Sequence, residues 1–65
     1  MKFIVEIKCD NAAFEEVPNH EVQRILREVV KSLQCGRLSA VDTQSSTRLI
    51  DFNGNRVGEA RWETE

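Results

Sequence analysis

The sequence predicts a single two-layer α+β domain, strand-helix-strand-strand, with one amphipathic helix packed on a three-stranded antiparallel sheet. Three observations carry this: a period-two run over residues 2–10, a helical period over residues 19–35, and an Asn53-Gly54 pair between two strand-like stretches in residues 47–62.

In the first run Phe3, Val5, Ile7 and Cys9 alternate with Lys2, Glu6, Lys8 and Asp10, the pattern of a strand with one face in a core. Ile4 interrupts the polar side. Asn11 to Val17 reads as a connection opened by the turn formers Asp10-Asn11. In the helix, Val22, Ile25, Leu26, Val29, Val30 and Leu33 recur at helical spacing. Asn19 is the expected N-cap, Glu15, Glu16 and Glu21 suit the positive end of the dipole, and Gly36 is the expected left-handed residue after the last turn. Residues 36–46, rich in Ser and Thr, read as a loop.

Asn-Gly favours a two-residue type I′ turn because both central residues need positive φ. That register sets Asp51 opposite Arg56, Arg48 opposite Glu59 and Ile50 opposite Val57, two charge pairs and one aliphatic pair. A bulged three-residue loop, pairing Leu49 with Val57, ranks second. The helix returns the chain along the sheet, so the second strand runs parallel to the first. The third is antiparallel to both and fits between them.

Composition narrows function. With 65 residues, 40% hydrophobic and 31% charged, the chain is apolar enough to fold and too charged to span a membrane. A net charge of −2 provides no global attraction to phosphate. No signal peptide is visible at Met1-Lys2-Phe3-Ile4-Val5-Glu6, which makes a reducing cytoplasm and free thiols the expectation. Cys9 is expected in the core. Cys35 is expected at the far end of a helix roughly 25 Å long, too distant for a disulfide. Two distant thiols and His20 do not make a zinc site. No phosphate loop or nucleophile constellation is present, so neither an enzyme, a cofactor nor a small-molecule substrate is expected.

Two features point to a partner. His20, Arg24, Arg27 and Lys31 form a basic stripe opposite the apolar face of the helix, suited to an acidic protein surface or to nucleic acid. The sheet also carries more apolar residues than one helix covers. If Gly58 and Ala60 let the helix approach, Ile4, Ile50, Phe52 and Val57 form an apolar patch on the open face. If Ile50, Phe52 and Val57 lie under the helix instead, Leu49 and Trp62 are left outside. Such a patch marks a protein interface, a homodimer before any other, unless the loop of residues 37–46 folds over it. Edge strands add a route by strand pairing.

The run Cys9-Asp10-Asn11-Ala12-Ala13-Phe14, the helix start from Pro18 to Arg27 and the hairpin from Leu49 to Gly58 resemble small bacteriophage and prophage proteins. The resemblance implies a bacterial cytoplasmic setting, an accessory role and, in its sharpest form, inhibition of a host defence complex. Sequence therefore points to a non-catalytic interaction module. The alternatives are a nucleic-acid-binding regulator and a self-associating structural component.

Overall fold

A computed structural model describes residues 1–39 and 45–63. Its elements are β1 (Lys2–Ile7), a short 3-10 helix (Ala12–Phe14), α1 (Pro18–Gln34), β2 (Ser46–Ile50) and β3 (Arg56–Glu63). The sheet order is β1-β3-β2 with both pairings antiparallel, as the return path of the helix requires.

β1 ends three residues before the alternating pattern does. Lys8 N–H still donates to Val57 O at 2.7 Å, but the chain then leaves the sheet for the 3-10 turn, whose second N–H, on Ala13, donates to Asn11 Oδ1 at 3.1 Å. Cys9 is consequently exposed, a correction to its expected place in the core. The turn also drives Phe14 into the core.

α1 starts at Pro18, whose fixed φ suits the first helical position. Val17 is the N-cap, with no side-chain cap bond, so Asn19 falls inside the first turn instead of capping it. Gly36 adopts φ +86° beyond the C-terminus, and the reversal brings Leu38 back beneath the helix, where it is one of the most deeply buried side chains. The expected loop is thus anchored at both described ends: Leu38 plugs the core, and Ser45 Oγ donates to Arg37 O at 2.7 Å. Residues 40–44 lie outside the described residues.

Both hairpin registers contribute. Arg48 stands opposite Glu59 and Leu49 opposite Gly58, as the two-residue loop requires. At the tip the register slips, Ile50 pairs with Arg56, and Asp51 N–H donates to Asn55 O at 2.9 Å. This is the three-residue loop with Gly54 left-handed at φ +88°. A bulge at Val57 reconciles the halves and turns Val57 into the core. The expected Asp51–Arg56 and Ile50–Val57 pairs do not form.

The helix-facing surface of the sheet carries Phe3, Val5, Ile7, Leu49, Val57, Ala60 and Trp62, packed with Ile25, Val29, Phe14 and Leu38. Gly58 is required by the β1–β3 pairing. A Cβ there would run into the backbone oxygen of Glu6 and crowd Ile7 Cα. Gly58→Ala should therefore lower stability by at least about 1–3 kcal/mol, read as a drop in thermal midpoint; an unchanged midpoint would contradict the close approach.

Candidate partner-binding surface

Four polar side chains tie the helix and the 3-10 turn to the hairpin tip. Glu21 is buried on the sheet-facing side of α1, where it accepts Arg24 Nε at 2.8 Å and Nη2 at 2.9 Å, and the backbone N–H of Phe52 at 2.8 Å. Arg24 Nη2 also donates to Ile50 O at 2.8 Å, on the outer edge of β2. Asp51 is buried at the tip. Its Oδ1 accepts the N–H groups of Asn53 and Asn55, each at 2.9 Å, and its Oδ2 accepts Asn11 Nδ2 at 2.6 Å. Bonds from Arg24 and Phe52 hold the Glu21 carboxyl below the usual range against the cost of its burial. At Asp51 burial pushes upward most strongly, yet the bonds from Asn55, Asn11 and Asn53 together outweigh it and the net direction is down.

This arrangement dismembers the expected basic stripe. Arg24 is committed to Glu21 and to the β2 edge, and Lys31 stands 3.5 Å from Glu28 in an exposed pair. His20 and Arg27 are exposed.

The expected apolar patch on the open sheet face is likewise not assembled. Val57 lies in the core through the bulge, contrary to its expected exposure. Phe52 is 64% exposed and Ile50 41% exposed near the hairpin tip, away from Ile4, which stands opposite Arg61 on β3. The open face is instead charged: Arg61 reaches Glu59 at 2.9 Å, Glu6 at 3.4 Å and Glu63 at 3.5 Å. Such exposed pairs add little stability, but they surround Ile4 with charge on that face.

The uncovered apolar surface lies on the other side of the sheet. Arg24 and Glu28 line a groove of about 250 Å³ against Thr47, Leu49 and Ile50, so that flank of α1 faces β2. Ile25 and Val29 point down into the core. The opposite flank, one helical step round, carries Val22, Leu26 and Leu33, with Val30 beyond. Leu26, Val30 and Leu33 are 41%, 51% and 38% exposed. Below them the β1 side of the sheet offers Phe3, Val5, Ile7 and Trp62, all half-buried, with Phe3 and Trp62 rings 4.9 Å apart. Sequence reasoning placed Leu26, Val30 and Leu33 on the apolar face of the helix that packs on the sheet. The signal against this was the width of the apolar arc, about 140° at about 100° per residue, more than one face buries.

Among the described residues both cysteines are free and exposed, and no three His, Cys, Asp or Glu side chains gather for a metal. No described helix is long and apolar enough to cross a membrane. The chain matches no protein-family model, no curated protein and no solved structure.

Because Glu21 and Asp51 have lowered carboxyl values, their stabilisation is complete above the unfolded carboxylate range, near pH 4, and is lost as pH falls through the folded values. Denaturant melts should show stability declining steeply below about pH 4. Asp51→Asn and Glu21→Gln should each be less stable at neutral pH and show a shallower acid slope than the parent. Parallel slopes would remove these carboxylates from the linkage.

Proposed function

We propose that the chain is a non-catalytic protein-interaction module that docks a partner on the β1-side flank of α1. The observation supporting this is the exposed apolar row of Leu26, Val30 and Leu33 on the flank of α1 away from β2, together with Phe3 and Trp62 left only half-buried on the sheet. Leaving such a strip in water forgoes burial worth about 25 cal/mol per Å². Its outer rim is Gln23, Arg27 and Gln34, with His20 and Lys31 next round the helix. An apolar segment bordered by acidic residues therefore complements it best. The setting, an accessory protein of a phage or prophage acting on a host protein in the bacterial cytoplasm, rests on the sequence resemblance alone.

The commitment of Arg24 to Glu21 and Ile50 leaves fewer free cations for a phosphate backbone than the stripe promised, which favours a protein partner over nucleic acid. The test is capture of bacterial proteins by the purified chain, compared with a Leu26→Asp/Val30→Asp variant and an Arg48→Ala control on the open face. Both substituted helix positions are about half exposed, so the variant should melt near the parent. Partner capture should vanish in the helix variant, persist in the control and resist nuclease treatment. Capture unaffected by the helix variant, or abolished by nuclease, would overturn the assignment.

A further inference from the structure

The two edges of the sheet are not equivalent. On β2 the outward carbonyl of Ile50 is occupied by the Arg24 guanidinium at 2.8 Å, and α1 runs beside the strand. β1 carries no such cover among the described residues. Its hydrogen-bonding phase follows from Lys8 N–H donating to Val57 O within the β1–β3 register. Lys2, Ile4, Glu6 and Lys8 direct their backbone groups to β3, so Phe3, Val5 and Ile7 direct theirs outward. An edge of this kind is a template for another strand.

The sequence of β1 indicates which strand. In an antiparallel pairing of two β1 copies across a two-fold axis, only the outward residues Phe3, Val5 and Ile7 exchange hydrogen bonds, which leaves few registers. With Val5 on the axis, Lys2 meets the partner's Lys8 and Ile4 meets the partner's Glu6. With Glu6 on the axis, Val5 bonds to the partner's Ile7 and two carboxylates face each other. With Ile7 on the axis, Glu6 meets the partner's Lys8, but Val5 would have to bond to Cys9 and Ile4 to face Asp10, both beyond the end of β1 at Ile7. With Phe3 on the axis, Lys2 opposes the partner's Ile4. One register remains, with Ile4 on the axis: Phe3 bonds to the partner's Val5, Ile4 packs on the partner's Ile4 in a closely spaced non-hydrogen-bonded pair, and Lys2 faces the partner's Glu6 twice. Every apolar residue then meets an apolar one and every opposed charge is complementary. This register also accounts for Ile4, the apolar residue that the charged face of the monomer leaves without a role.

We infer that β1 is a self-pairing edge, joining two copies of this chain into a continuous six-stranded antiparallel sheet with Ile4 at the two-fold axis and Lys2–Glu6 pairs on either side. This deepens the interaction-module reading and uses a different surface, the strand edge instead of the α1 flank. The joined sheets place both α1 helices on one face, so the two apolar flanks border a shared surface.

Lys2 and Glu6 are exposed, and their exchange leaves the core untouched. Sedimentation and light scattering, from micromolar to millimolar protein, should show a concentration-dependent dimer for the parent chain. Lys2→Glu and Glu6→Lys should each weaken it about tenfold or more, because each converts two attractive pairs into two repulsive ones. An equimolar mixture of the two variants should recover dimer as the heterodimer, where opposite charges meet again at all four positions. Ile4→Lys should abolish it. The Leu26→Asp/Val30→Asp variant should dimerise like the parent, which separates failure of this edge from failure of the helix-flank site. A monomer at millimolar concentration, a dimer indifferent to both charge variants, a mixture that stays monomeric, or a dimer lost with the helix-flank variant would each overturn the pairing.

Discussion

Two ionised carboxylates withdrawn from water, Glu21 and Asp51, hold the hairpin tip, and the placement of the helix on the sheet depends on them. Glu21 lies in the first turns of α1 and accepts the Phe52 N–H, while its partner Arg24 reaches the Ile50 carbonyl. Asp51 ties the same tip to Asn11, and through Asn11 to the 3-10 turn that delivers Phe14. Buried charge is tolerated only where its lone pairs are satisfied. Glu21 takes three hydrogen bonds from two residues, Arg24 and Phe52, and Asp51 takes its own from Asn11, Asn53 and Asn55, so moving the helix relative to the tip would leave a buried charge short of donors. A domain of this size has little apolar burial with which to fix such a relation; the polar bonds supply the directionality that packing alone lacks.

The architecture was legible because periodicity and chain return suffice to determine it. The strand at Lys2, the helix closed by Gly36, the hairpin at Asn53-Gly54 and the middle position of β3 all follow from local pattern. The bulge was not legible, because it is a compromise. The tip adopts the loop that lets Asp51 turn inward, the remainder keeps the register that sets Arg48 opposite Glu59, and Val57 absorbs the difference. No window of sequence shows that two acceptable registers will both be used.

Site residues were less legible for the same reason. His20, Arg24, Arg27 and Lys31 share a helix face, yet nothing in their spacing reveals that Arg24 has a buried carboxylate three residues earlier and a strand carbonyl within reach. Glu21 looked like a residue favouring the helix dipole; its burial depends on the hairpin lying over it. Leu26, Val30 and Leu33 followed the period that marks a core, and only the position of the helix on the sheet decides how much of an apolar arc is covered.

That position is constrained by width. An α-helix with its side chains is about 10 Å across, and three strands at about 4.8 Å spacing make a sheet somewhat wider. One helix therefore leaves part of one face uncovered, and the polar clamp determines which part. Because Arg24 anchors α1 to β2, the uncovered strip falls on the β1 side. The same anchoring occupies the β2 edge and leaves the β1 edge open. The apolar flank of α1, half-buried Phe3 and Trp62, and the outward backbone groups of Phe3, Val5 and Ile7 are thus one consequence of a single off-centre attachment. Both proposed docking surfaces lie on the side of the molecule that the clamp leaves bare.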